Sequence, residues 1–136
     1  MGCCEAEKVA VGTDKAPRAI GPYSLAVKAG PFVFASGQAG LDPTTNELVP
    51  GGVEAETRQT LTNLKNIFEA AGVTMDHVVK TTIFLRDIND FARVNAVYAE
   101  FFSGSYPARS TVQVAALPKG AAVEIEAVAY LPQHEE

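Results

Sequence analysis

Residues 106–130 read YPARSTVQVAALPKGAAVEIEAVAY, and their alternation decides the fold. Both halves are rich in β-branched and small apolar residues, with the turn-forming run Leu117-Pro118-Lys119-Gly120 between them. They predict two strands, Arg109–Ala115 and Ala122–Leu131. A period of two puts Arg109, Thr111, Gln113 and Ala115 on one side of the first strand, and Ser110, Val112, Val114 and Ala116 on the other. On the second, Val123, Ile125, Ala127, Ala129 and Leu131 share a side, opposite Glu124, Glu126, Val128 and Tyr130. An arginine on such a strand is costly unless an anion meets it. Its partner is either one of the two glutamates or something from outside the chain.

Working outward, SLAVKAG (24–30) and PFVFASG (31–37) predict two strands joined at Gly30-Pro31. The run 38–52, dense in Gly, Pro, Asn and Asp, reads as a loop. A helix follows, because Leu61, Leu64, Phe68 and Ala71 recur at helical spacing and Ile67 broadens the stripe. Glu54 and Glu56 suit its N-terminus, and Gly72 is placed to end it. Val78–Arg86 is β-branched and predicts a third strand. Asp87 or Asn89 then caps a second helix, whose stripe is Phe91, Val94, Tyr98 and Phe101, with Phe102 continuing it and Gly104 and Pro107 closing it. The order is β-β-α-β-α-β-β, an α+β sandwich with both helices on one face of the sheet. Residues 1–15 are expected as a tail, 16–132 as a single domain and 133–136 as a second tail.

With the apolar sides of the strands placed under the helices, the other face carries Arg109, Glu124, Glu126 and hydroxyls. It also carries Val128, Tyr130 and Phe32 or Phe34. That mixture suits a subunit interface with polar pockets, or else a solvated sheet face.

Composition narrows the function. The 136 residues fit one domain, and 47% hydrophobic with 20% charged residues is an ordinary globular balance. A net charge of −5 argues against nucleic-acid partners, which call for a basic face. No apolar run approaches the roughly 20 residues of a membrane span, and nothing resembles a signal peptide. Cys3 and Cys4 are adjacent, so they neither staple a core nor form a zinc site. A cytoplasmic, reducing setting is the expectation. His77 and His134 are far apart and read as surface residues, which leaves metal sites and Ser-His or Cys-His nucleophiles without support. No G-x-G-x-x-G or P-loop is present.

What remains is Arg109 with a carboxylate and hydroxyls. The guanidinium fork matches a carboxylate bidentately and keeps its proton. A small carboxylate-bearing substrate is one reading, and a structural ion pair with Glu124 or Glu126 is the other. A glutamate beside such a pocket can hold or activate water.

The stretch 106–130 resembles the signature of the RidA (YjgF) family, the reactive imine deaminases: Pro-Ala-Arg, an apolar strand, Leu-Pro-Lys, then an apolar-Glu-Ile-Glu run. APRAIGPYS (16–24), FASGQ (34–38), TRQTLTNLKNIFEAAG (57–72) and VVKTTIFLRDINDFARVNAVYAEFF (78–102) resemble it as well. The resemblance implies a fold like that of the trimeric chorismate mutases and a homotrimer with sites in the clefts between subunits. It implies hydrolysis of 2-iminobutanoate and 2-iminopropanoate to 2-oxo acids plus ammonia, with no cofactor or metal, protecting pyridoxal-phosphate enzymes from damage. Within it, Arg109 is the substrate-carboxylate clamp and Glu124 the residue that positions or activates water. Tyr23, Ser36 and Gly37 line the pocket. Asn95 and Glu126 have structural roles near the site. Thr111 stands where many bacterial relatives carry cysteine, and its hydroxyl can still hydrogen-bond. The alternative is a non-catalytic trimer that binds 2-oxo acids or other metabolites, or a chaperone-like interaction protein.

Overall fold

A computed structural model of the chain describes residues 7–132. Cys3, Cys4, His134 and the expected C-terminal tail lie outside the described residues. One sheet of six strands carries two helices. The strands are β1 (Val9–Val11), β2 (Ala26–Ala29), β3 (Phe32–Ala39), β4 (Val78–Leu85), β5 (Ala108–Gln113) and β6 (Val123–Tyr130), and the helices are α1 (Gly52–Ala70) and α2 (Phe91–Tyr98). Their spatial order is β1-β2-β3-β6-β4-β5. All neighbours run antiparallel except β4 and β5, which are parallel because α2 carries the chain back between them. Five of the six strands and both helices match the expected elements. The sixth corrects the expected N-terminal tail: Val9–Val11 pairs with Ala26–Lys28 as an edge strand. Three residues carry too little periodicity to be told from a loop.

The core follows the helical stripes. Leu61, Leu64, Ile67 and Phe68 of α1 are fully buried, and burial of such side chains stabilises by about 1.5–3 kcal/mol each. They pack on β3 and β6, whose inward residues Val33, Ala35, Ile125, Ala127 and Ala129 are buried too. Helix α1 ends where Gly72 turns to φ +93°, a left-handed conformation that glycine adopts at no steric cost. This lets Val73 N–H donate to the Phe68 carbonyl at 3.0 Å. Asp87 caps the single 3-10 turn ahead of α2, its Oδ1 accepting from Asn89 N–H at 2.9 Å.

Several buried polar groups tie elements together. Glu56 is 9% exposed, and its Oε1 accepts from Ala122 N–H at 2.8 Å, which pins the start of β6 to α1. Asn63 is fully buried; its Nδ2 donates to the carbonyls of Ala39 and Leu41, and its Oδ1 accepts from Gln59. It thereby fixes the chain leaving β3. No helix among the described residues is long and apolar enough to cross a membrane.

Candidate functional site

The register overturns one expectation about the site. In β4, Thr81, Ile83 and Leu85 are buried beneath the helices. Arg109 pairs with Thr81, and Thr111 with Ile83, so both belong to the helix-covered side. Glu124 pairs with Phe84, on the uncovered side. Arg109 and Glu124 therefore lie on opposite faces of the sheet within one chain, not on one face. The physical reason is that β5 is an edge strand. Its polar side projects along the flank of α2, where a charge stays partly in water. Its apolar Val112 lies on the uncovered face, 43% exposed.

On its own side Arg109 is stacked between aromatic rings of α2. Its guanidinium carbon lies 5.3 Å from the Phe91 ring centre and 5.0 Å from that of Tyr98, where the ring faces attract a cation. Tyr98 is held in turn by a 2.7 Å hydrogen bond shared with Thr81 Oγ1, and burial raises its hydroxyl pKa. No carboxylate among the described residues lies within 4 Å of Arg109. The structural ion pair with Glu124 or Glu126 is thus not formed. A pocket opens beside the guanidinium, lined by Asn95, Tyr98, Ala99, Tyr106 and Pro107. Asn95 borders this pocket, and its side chain makes no hydrogen bond to any described residue. The hydroxyl of Thr111 is buried without a partner among the described residues.

A second pocket forms around Glu124, lined by Tyr23, Gly37, Gln38, Ala39, Leu41, Pro118 and Lys119. A β-bulge between Ala35 and Gln38 re-aims this part of β3. Ser36 Oγ donates to the Ser24 carbonyl at 2.7 Å, so this hydroxyl braces the loop before β2. Gly37 permits a close approach: a Cβ there would lie 2.9 Å from the Glu124 carboxyl carbon and would displace that side chain. The carboxylate therefore rests against backbone at the bulge. Burial first, and the Glu126 charge second, raise the Glu124 pKa above its ordinary value. Glu126 borders a separate hollow on the uncovered face, with Lys80, Thr82 and Phe34.

The chain thus brings together Glu124, Tyr23 and Gly37, and separately Arg109 and Asn95. The first group can hold and deprotonate a water. The second can hold a carboxylate. Sequence reasoning missed Arg18, Ile20 and Leu41 in the Glu124 pocket, and the buried Asn63 behind it. Asn63 had a signal, since it lies four residues before Ile67 on the apolar side of α1. Among the described residues no group of three His, Cys, Asp or Glu could hold a metal ion.

A family model described as Endoribonuclease L-PSP matches residues 13–131. A mouse protein named 2-iminobutanoate/2-iminopropanoate deaminase is 56% identical over 119 residues, 88% of each chain. The human protein of that name is 53% identical over 119 residues, 88% of this chain and 87% of that one. Among solved structures, RidA from the Antarctic bacterium Psychrobacter sp. superposes with a TM-score of 0.87 at 50% identity, over 90% of this chain and 99% of that one. E. coli TdcF with bound serine superposes with a TM-score of 0.87 at 44% identity, over 91% and 99%.

Proposed function

The chain belongs to the Endoribonuclease L-PSP family, the RidA (YjgF) group, and from that premise we propose that it is a 2-iminobutanoate/2-iminopropanoate deaminase. It hydrolyses the C=N bond of short 2-imino acids to give 2-oxo acids and ammonia. Relatives bearing that name at 53–56% identity support the reading. So does the chemistry of the two half-sites. Removal of such imines protects pyridoxal-phosphate enzymes, and the cytoplasm is where we place the activity.

The single observation that carries the mechanism is Glu124, a carboxylate seated on Gly37 with its proton affinity raised. In the mechanism, Arg109 grips the substrate carboxylate through two charge-assisted hydrogen bonds. Glu124 takes a proton from a water as the water adds to the imine carbon, which gives a tetrahedral aminol. The aminol nitrogen is protonated, the C–N bond breaks and ammonia leaves. Imines hydrolyse readily in water, so positioning supplies most of the rate gain. Tyr23 lines the same pocket as Glu124, and Asn95 the one beside Arg109.

We place the complete site between subunits of a homotrimer. Arg109 and Glu124 point from opposite faces of one sheet, so a site using both is assembled from two copies. The uncovered face is suited to association: Phe32, Phe34, Val112 and Tyr130 are 40–45% exposed on it, and burying them stabilises at about 25 cal/mol per Å². The endoribonuclease in the family's description is not the activity proposed, because a net charge of −5 does not suit a polyanionic substrate.

The test is a coupled assay with threonine dehydratase, following 2-oxobutanoate release. Added protein should accelerate release, and Arg109→Ala should lower kcat/KM roughly a hundredfold or more. That follows from two charge-assisted hydrogen bonds at about 1.5–3 kcal/mol each, with 1.4 kcal/mol per decade. Unchanged kcat/KM in Arg109→Ala would remove the clamp from the mechanism. A protein that binds 2-oxo acids without accelerating release would be the binding module instead.

A further inference from the structure

Two cations at the Glu124 pocket have no task in the reaction above. Arg18 and Lys119 both line it, as do the apolar Ile20 and Leu41. Neither cation has a carboxylate within 4 Å among the described residues. Their placement is built into the fold through Asn46, which is 5% exposed and adopts a left-handed φ of +61°. Its side-chain Oδ1 accepts from Arg18 N–H at 3.3 Å, and its backbone carbonyl accepts from Lys119 Nζ at 2.7 Å. Lys119 itself sits at φ +60°. One buried residue thus draws together two segments distant in sequence, each bringing a cation to one pocket. Only one of the three ammonium protons of Lys119 is used by Asn46.

These cations do not serve to neutralise Glu124. What acts on that carboxylate is burial and the Glu126 charge, and both raise its pKa. A cation set against it would lower it. Both cations share the pocket with Glu124 without pairing to it within 4 Å.

We propose that this end of the pocket accepts a second carboxylate on the substrate side chain, so that the enzyme also takes 2-imino diacids. This rests on the deaminase reading and extends its substrate class. The substrate would be held by Arg109 at its α-carboxylate, with the imine carbon at Glu124, the side-chain methylene groups along Ile20 and Leu41, and the distal carboxylate at Arg18 and Lys119. The step is the same redox-neutral hydrolysis: water supplies the carbonyl oxygen, the C–N bond breaks, and nitrogen leaves as ammonia.

The experiment compares kcat/KM for two imines made in situ. One is 2-iminobutanoate, from threonine dehydratase. The other is the four-carbon imino diacid, from oxidation of aspartate by an amino-acid oxidase. Wild-type protein should hydrolyse both. Charge reversal in Arg18→Glu should lower the diacid-to-monoacid ratio of kcat/KM about tenfold or more, and Arg18→Lys should keep most of it. Arg18 is exposed and is tied to Asn46 only through its backbone, so the variant should fold; its 2-iminobutanoate turnover reports on this in the same assay. An unchanged ratio overturns the proposal. An equal loss on both substrates also overturns it, because the cations would then hold the α-carboxylate. If the wild type hydrolyses only 2-iminobutanoate, the proposal fails while the deaminase reading stands. If it hydrolyses neither, both fall.

Discussion

The chemistry proposed for Glu124 depends on two neighbours and on burial, none of which reacts. Gly37 gives the carboxylate room against the β3 bulge, burial disfavours its charge, and Glu126 on the same face adds a like charge. A base must be deprotonated to accept a proton from water, so the rate should fall as pH drops through the raised Glu124 pKa. The acid limb therefore lies above the ordinary carboxylate range of about 4.3. Replacing Glu126 with Gln removes the smaller cause and leaves burial. The Glu124 pKa then falls, and the acid limb of the kcat/KM profile for 2-iminobutanoate should move to lower pH with little change on its plateau. A shift to higher pH, or none with the plateau lost, would mean that Glu126 acts in some way other than through its charge. Arg109 presents the converse case. That it needs an anionic partner was legible from the sequence, because an arginine in an apolar strand is costly without one. Its face was not. Alternation sorts residues into two sets, but which set the helices cover is decided by pairing with Thr81 and Ile83, and no local pattern encodes that register.

At the scale of elements, the helices were legible because a stripe of Leu61, Leu64, Ile67 and Phe68 has only one way to be buried. The strands were legible as segments, while their order was not. Strand β6 lies between β3 and β4, and β5 lies parallel at the edge, through contacts far apart in the chain. One joint in this arrangement is Glu56. Its position near the start of α1 suggested only a favourable dipole interaction, yet its carboxylate accepts the Ala122 N–H where β6 begins. That N–H is buried and would be left without a partner if the carboxylate were removed. Glu56→Ala should therefore lose about 1–3 kcal/mol of stability, seen as a lower urea midpoint with an unchanged slope. Glu56→Gln keeps an acceptor at the same reach and should lose less. Equal losses in the two variants would show that the amide N–H finds another partner or that packing, not this bond, carries the effect.

At the scale of the whole molecule, the question is why an ordinary sandwich leaves Phe32, Phe34, Val112 and Tyr130 exposed on one face. The sequence left that face as either an interface or a solvated sheet face. The position of Arg109 on the other side favours the interface, since the proposed clamp and the proposed base on opposite faces cannot share a substrate within one chain. The proposed inter-subunit site makes a prediction that a single-chain site cannot. Arg109→Ala and Glu124→Gln proteins should each be nearly inactive. Unfolded together in equal amounts and refolded, they should form mixed trimers if the proposed assembly holds. A working site then takes its arginine from a Glu124→Gln chain and its glutamate from an Arg109→Ala chain. Random mixing puts that combination at about one quarter of all sites in a cyclic trimer with one site per interface. Activity should therefore return to roughly a quarter of the wild-type level, while each variant refolded alone stays inactive. A site within one chain gives no recovery at any mixing ratio, because every chain lacks one of the two groups. The dependence on mixing ratio adds a second check. With a fraction f of one variant, recovery follows f(1−f) and is greatest at equal amounts. A linear dependence would indicate residual activity in one variant and would count against the shared site.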